Sequence, residues 1–354
     1  MVKRKKKGRS LVKKVIISLL LIFFIGTLVF GYQIYNGIYR PNVFIKNKGK
    51  TYLYIHTGAK FDDVLNSLNE NNYIHNSFLF QWLADRMNYT NHVKPGRYRL
   101  KNNMSNKELI ELLRSGNQEA VKITFNNIRD KEQLCEKISK NIEASKSSIR
   151  DIFEDKEYLS SIGFNTSNIL TMFIPNTYDF LWNTSAEEFM KRMTKEYKIF
   201  WTEERKSKAK NIGLSQTEVS ILASIVELET IRRDEKNIVA GVYINRLKRG
   251  MLLQADPTVI FATGDYTIKR VLSKHLSYNS PYNTYLYKGL PPGPICIPSI
   301  SSIDAVLNYN KNNFIYFCAK EDFSGYHNFA SNIAQHNINA RKYQRELNKR
   351  KIMN

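Results

Sequence analysis

From Val15 to Tyr35 the chain reads VIISLLLIFFIGTLVFGYQIY, 21 consecutive residues without a charge. About 20 apolar residues wound as a helix cross a hydrocarbon core of ~30 Å. Length and composition therefore make this segment a membrane-spanning helix. The 14 residues before it hold eight bases and no acid, and Tyr32 and Tyr35 close its far end. Such amphipathic rings suit the bilayer interface, and a basic flank stays on the cytoplasmic side. A cleaved signal peptide would carry a shorter apolar stretch, ~7–15 residues, and a small-residue cleavage site after it. GYQIYNGIYR offers no such site. The expectation is a single-pass protein of the cell (inner) membrane, N-terminus cytoplasmic, with the chain from about residue 40 onward on the outer side.

The anchor also explains the charge. With 54 Lys+Arg against 32 Asp+Glu the net charge is +22, which on its face suggests nucleic acid. Thirteen of those charges sit in the first 14 residues and in the stretch from Arg341 to the C-terminus. The rest is thinly spread, so nucleic acid is excluded as a partner and the inner membrane takes its place. Cys135, Cys296 and Cys318 are too few and too scattered for a disulfide framework or a C-x-x-C metal site. Whether Cys296 and Cys318 pair stays open.

Beyond the membrane the pattern reads as α+β. The expected layout is a cytoplasmic basic tail at 1–14, the transmembrane helix at 15–35, a polar linker at 36–50, a small α/β module at 51–118 and a larger mixed α+β domain at 119–354. In the module, Tyr52–Ile55 and Arg97–Leu100 are strand-prone. Phe61–Leu68 has helical i, i+3, i+4, i+7 spacing, a second helix follows around Phe78–Met87, and Ser105–Glu108 is a capping box for a helix stopping near Gly116. In the larger domain, Val121–Phe125 reads as a strand and Lys131–Ile142 as a helix. The aromatic insert FIPNTYDFLW at 173–182 fits either a core-lining loop or a wall of a substrate groove.

The segment from Ser215 to Thr230, SQTEVSILASIVELET, carries an acid in an unusual place. Ser215 and Glu218 form a capping box that marks the helix start. Winding the residues at about 100° each puts Glu229 inside the apolar arc of Leu222, Ile225 and Val226. Glu227 falls on the opposite side beside Ala223, as a solvated acid or an ion-pair partner. A carboxyl in an apolar setting has its pKa raised, because burial disfavours the charged form, and can then serve as a general acid. The plain alternative is a helix-end Glu that reaches solvent or pairs with Arg232 or Arg233.

A polar constellation follows. After a packed helix at Ile238–Arg246 closed by Gly250, Gln254, Asp256 and Thr258 alternate along an apparently extended segment, broken by Asp256-Pro257. Tyr282 and Asn283 lie in YNTY, followed by the rigid turns of GLPPGP, a setting suited to sugar recognition by stacking and hydrogen bonds. The apolar strand Phe314–Ala319 leads to His327 and Asn328, with His336 beyond. The two histidines lack ligand spacing and a carboxylate in a metal-site pattern, so each reads as an ordinary hydrogen-bonded histidine and no metal is expected.

Taken in order, ILASIVELET, VYINRLKRGMLLQADPTVIFATG, YNTY, GLPPGPI and HNFASNIAQHN resemble the YceG-like family of endolytic murein transglycosylases, from about Phe173 to near Tyr343. The module at 51–118 resembles that family's LysM-like subdomain. The resemblance implies that Glu229, second acid of the E-x-E-T element, is the essential one. It implies a lyase that cuts the MurNAc–GlcNAc bond of nascent peptidoglycan strands and leaves 1,6-anhydroMurNAc ends, terminating strand elongation. Gln254, Asp256, Thr258, Tyr282, Asn283, His327 and Asn328 are then the candidates to bind substrate, without cofactor or metal. The implied partners are glycan strands, the membrane and cell-wall synthases. Asn176 stands where the family usually has Asp, and Ile297 where Asn is common. Two rivals remain: a hydrolysing muramidase using Asp256 or Glu227 as second carboxylate, and a non-catalytic anchored scaffold that binds the wall.

Overall fold

The computed structural model describes residues 5–46, 49–126 and 128–350, with side chains from Val12 on. Lys3 and Arg4 of the basic tail, and Lys351 of the basic C-terminus, lie outside the described residues. The chain divides into two compact units, one of residues 1–121 with 181–183 and one of 122–180 with 184–354.

The first unit begins with α1, Lys5–Tyr39, which is long and apolar enough to cross a membrane from Val12 to Tyr39. Its apolar side chains from Val15 to Tyr35 are largely exposed, which fits a single-pass membrane anchor. The small module follows as β1 (Thr51–Ile55), α2 (Phe61–Glu70), α3 (Ser77–Arg86), β2 (Gly96–Leu100) and α4 (Asn106–Ser115). The two strands pair antiparallel, Thr51 opposite Leu100 and Ile55 opposite Gly96. Inward residues alternate along β1, where Leu53 and Ile55 meet Phe61, Val64 and Leu68 of α2 and Phe80 of α3. The Ser105–Glu108 capping box forms as read, and Gly116 ends α4 in the left-handed conformation.

Residues 36–50 differ from the polar linker expected. Helix α1 runs on to Tyr39 and its end is packed, not free. A Cβ on Gly37 would stand 3.2 Å from the Leu79 side chain, a tight contact that Leu79 would have to yield to by a few tenths of an ångström. Asn106, buried on α4, donates its amide to the Gly37 carbonyl at 2.7 Å and accepts from Asn42 at 2.6 Å. Val43 is fully buried and bridges to Ile74. The polar look of PNVFIKNKGK hid this, because only one of its apolar side chains, Val43, goes to the centre of the module.

The second unit opens with β3 (Val121–Thr124), then α5 (Lys131–Ser139), α6 (Lys146–Glu154), α7 (Lys156–Ser161) and a 3-10 turn at Ile169–Met172. Strand β4 (Thr177–Phe180) pairs with β3. Rings of the aromatic insert belong to the core: Phe125 packs on Phe173 and Phe189 with ring centroids 5.8 and 6.1 Å apart, and Tyr178 and Phe180 are buried, while Leu181 is exposed. Helices α8 (Ala186–Phe200), α9 (Glu203–Ile212), α10 (Gln216–Glu229), α11 (Lys236–Lys248), α12 (Asp256–Thr263), α13 (Ser273–Leu276) and α14 (Ile300–Leu307) follow. The unit ends with the antiparallel pair β5 (Tyr316–Ala319) and β6 (His327–Ala330), Phe317 opposite Phe329, and with α15 (Ile333–Lys349).

Helix α10 is the axis of this unit. Every residue from Val219 to Val226 is buried, so the helix is covered all round instead of presenting a polar back. Helices α11, α12 and α14 all pack on it. Ser220, Ala223 and Ser224 make the second face possible, because small side chains let α14 and the 295–297 segment come close. Ser224 Oγ accepts from the Ile295 amide at 3.0 Å, and donates to its own helix at Ile221. On α11 a Cβ at Gly241 would meet the Asn310 carbonyl at 2.5 Å, an approach that only glycine allows.

Candidate active site

Glu229 is the last residue of α10, and the chain turns extended at Thr230. Its carboxyl therefore stands where the buried helix meets an opening, and it is half-buried. The Tyr243 hydroxyl of α11 donates to Glu229 Oε1 at 2.6 Å. One turn further along α11, Arg246 is buried and gives Nε to the Ile315 carbonyl at 2.6 Å and Nη1 to the Leu253 carbonyl at 2.7 Å. Its Nη1 also reaches Gln254 Oε1 at 3.3 Å. Among the described residues Arg246 forms no ion pair, so its charge acts on the site from behind a shell of carbonyls.

Burial is the main force on Glu229 and lifts its carboxyl to about 7. The Tyr243 hydrogen bond pulls the other way, the nearby Asp256 charge pushes it up and Arg246 draws it down. Such a group is about half protonated near neutral pH, the condition in which one carboxyl can both give and take a proton. The alternative partners do not hold it. Arg232 donates to the Ser324 carbonyl and lies over the Tyr326 ring, and neither Arg232 nor Arg233 pairs with Glu229 among the described residues.

Glu227 is not a free surface acid. It accepts from buried Lys236 at 3.0 Å, from the Ser299 amide at 3.1 Å, from the Ser302 hydroxyl at 2.6 Å and from the Ser299 hydroxyl. Burial opposes ionisation, but Ser299, Ser302 and Lys236 together hold its carboxyl below the usual range. Two glutamates two residues apart are thus shifted in opposite directions by what they touch.

The remaining candidates separate by exposure. Gln254 and Asp256 are exposed beside the site. Gln254 has φ +52, a left-handed backbone that costs a non-glycine residue on the order of 1 kcal/mol or more. It is pinned there by Arg246 and by its amide donating to the Thr284 carbonyl at 3.1 Å. Asp256 Oδ1 accepts from the Tyr285 hydroxyl at 2.6 Å. Thr258 differs from the alternation expected, because Asp256-Pro257 starts helix α12 instead of breaking a strand; proline suits a first helical turn. That rotation sends Thr258 inward, where it is fully buried and bonds the Ala255 carbonyl at 2.6 Å and Thr284 at 2.8 Å. Asn283 is also fully buried: its amide donates to the Leu276 and Tyr278 carbonyls at 2.9 and 2.8 Å, and it shapes the loop from within. Tyr282 is half-buried against Phe261, ring centroids 4.8 Å apart.

His327 and Asn328 lie on β6, each half-buried. The buried carboxylate of Glu235 meets His327 twice, at its backbone amide (2.8 Å) and at Nδ1 (3.0 Å). Asn328 donates to Glu321 at 2.8 Å. The His327 ring packs edge-on against Phe317, which packs edge-on against Tyr243, so a line of rings runs from the histidine to the hydroxyl that holds Glu229. His336 stacks on Tyr316, 5.2 Å between centroids. No group of three or more His, Cys, Asp or Glu suited to a metal occurs among the described residues, and the three cysteines are free.

The family model described as the YceG-like family matches residues 53–342, most of the chain and the whole of this site. The chain belongs to the YceG-like family. It is 30% identical over 305 residues to an endolytic murein transglycosylase of Bacillus subtilis, covering 82% of this chain and 83% of that one. A second endolytic murein transglycosylase, from Streptococcus pneumoniae strain R6, is 26% identical over 350 residues; the match takes in 89% of this chain but 62% of the relative. Among solved structures, the crystal structure of the yceG-like protein lmo1499 from Listeria monocytogenes superposes with TM-score 0.54 at 25% identity, covering 82% of this chain and 99% of that one.

Several members of this YceG-like site were not singled out by the sequence. Tyr243 and Arg246 are three apart on α11 and share a face, a spacing that could have paired them with a buried acid. Tyr285 was inside YNTY but passed over for its neighbours. Glu235 gave no signal at all, since nothing in RRDEKN tells a buried carboxylate from a surface one.

Proposed function

We propose that this chain is a membrane-anchored endolytic murein transglycosylase, a lyase that cuts the MurNAc–GlcNAc bond with Glu229 as its acid and base. The observation that carries the reading is a single half-buried carboxyl lifted to about 7, held by Tyr243 at 2.6 Å. The named relatives support the reaction class. Protonated Glu229 gives its proton to the glycosidic oxygen, and GlcNAc leaves with a free 4-hydroxyl. The muramyl ring is left with oxocarbenium character at C1. The Glu229 carboxylate then takes the proton of the muramyl 6-hydroxyl, and O6 bonds to C1 to close the 1,6-anhydro ring. The proton count returns to its start, so no water enters and no second carboxylate is needed, unlike ordinary glycoside hydrolysis. A group with equal tendency to hold and release its proton at neutral pH serves both halves.

Asp256 places negative charge near Glu229 and supports the positive charge that develops on the sugar. Gln254, with its backbone fixed in a left-handed conformation, is an orienting contact. His327 sets the ring stack behind Tyr243 and acts through it. Thr258 and Asn283 build the loop that presents these groups. The basic flank of α1 keeps the N-terminus in the cytoplasm and the second unit outside, where nascent strands and the synthases that make them are within reach.

Digestion of peptidoglycan by the full-length protein, with mass analysis of the new ends, tests the reading. Anhydro-muramyl ends are expected. Reducing muramic ends, heavier by one water, would instead assign a hydrolase, and no new ends would leave only a wall-binding scaffold.

A further inference from the structure

Two residues before the acid, the last turn of α10 faces a second hollow. A cavity of about 400 Å³ is lined by Asn126, Arg129, Pro175, Glu227, Leu228 and Ile297, among others. Glu227 and Glu229 leave α10 about 200° apart, and exposed Leu228, the chain neighbour of Glu229, lies between them and lines the hollow.

The charge inside is uneven. Glu227 is fully answered by Lys236, Ser299 and Ser302. Arg129 is not answered: among the described residues it has no carboxylate partner, and its guanidinium rests on the Tyr266 ring at 4.7 Å. Stacking of that kind holds the cation in place without neutralising it. Lys137 donates to Asn126 Oδ1 at 3.2 Å, which brings a second positive group to the rim. Pro175, Leu228 and Ile297 supply an apolar wall. A bare sugar would call for paired polar side chains and an open aromatic platform. An ordered cation, an amide and a small apolar surface instead match a short peptide that carries carboxylates.

Resting on the transglycosylase reading, we infer that this hollow seats the acidic peptide stem attached to the muramyl residue beside the scissile bond. Arg129 pairs with a stem carboxylate. The site thereby distinguishes stem-bearing strands from denuded ones, and the stem sets the register that brings the right glycosidic oxygen to Glu229.

The test uses the full-length protein in detergent and two substrates: uncross-linked glycan strands with intact stems, and the same strands stripped by an amidase. Wild type should show a kcat/KM on stem-bearing strands about tenfold or more above that on stripped strands, the size of one charge-assisted hydrogen-bonded contact. Arg129→Gln should collapse that ratio towards one, chiefly through KM, and Arg129→Lys should keep part of it. Soluble stem peptide at millimolar concentration should inhibit wild type on stem-bearing strands, a measurement that needs no variant to fold. Equal cleavage of both substrates by wild type, an unchanged ratio in Arg129→Gln, or no competition by the peptide would each overturn the inference and leave the activity standing. Cleavage of neither substrate would overturn the activity, and the inference with it.

Discussion

Replacing Glu229 by Gln should make the protein more stable as it makes it inactive. Gln has the same shape and still accepts from Tyr243, but it never ionises. In the wild type the carboxyl is lifted from 4.5 to about 7 by burial first of all. Between those two values the folded chain keeps a proton that the unfolded chain has released, so stability falls as pH rises through this window. At about 1.4 kcal/mol per pKa unit the full loss is about 3 kcal/mol, and about 2–3 once the partly open edge of the site is allowed for. Below pH 4.5 both states hold the proton and the wild type loses nothing; above about 7 both have released it and the loss is complete. The assay is equilibrium denaturation at pH 4.5, 6 and 8, in a background where Trp82 and Trp182 are Phe so that buried Trp201 reports the second unit. Glu229→Gln should match wild type at pH 4.5 and exceed it at pH 8, with a midpoint about 4–10 °C higher in thermal scans. Cleavage should fall by about 10²–10⁴-fold over the same pH range. A stability gap that does not change with pH, or a variant less stable than wild type at pH 8, would refute the buried-acid argument.

Removing the hydroxyl in Tyr243→Phe takes away a force that lowers Glu229, so the basic limb of the pH–rate profile should move to higher pH. Asp256→Asn removes a charge that raises it and should move the same limb to lower pH; shifts in one common direction would show that neither group acts on Glu229. Lys236→Met leaves Glu227 half-buried without its cation and should cost about 3 kcal/mol in denaturant unfolding, most of it recovered by adding Glu227→Gln. Asn283→Ala strands the Leu276 and Tyr278 carbonyls and should cost about 2 kcal/mol of stability, where a direct sugar contact would change KM at constant stability.

How much of this could be read from the residues depended on the kind of signal. The long apolar helix, the caps at Ser105, Ser215 and Gly116, and the strand–helix order of the first module follow from local chemistry and were legible. Glu229 was legible because a charge within an apolar arc breaks a pattern. For Glu227 the residues left a solvated acid or an ion-pair partner open, and the pair with Lys236 forms; that Ser220, Ala223 and Ser224 admit a second layer of helix on that side could not be seen. Thr258 was misread because Asp-Pro opens a helix as readily as it ends a strand, and only the packing of α12 on α10 decides. Tyr243, Arg246 and Glu235 lie on other segments, and their roles exist only through distances the chain closes on folding.

The seam between α1 and the first module has a further consequence. Gly37 and the Asn42–Asn106 amides tie the helix end to the module, which starts only about 3 Å along the helix axis beyond Tyr35, the ring expected at the interface. With α1 in a bilayer, the module cannot swing outward on a tether; it is held flush with the headgroups, at a height fixed by the helix as a gauge is fixed to its post. Inserting residues at Gly37 would lengthen the post, and melting the seam would turn the gauge into a leash.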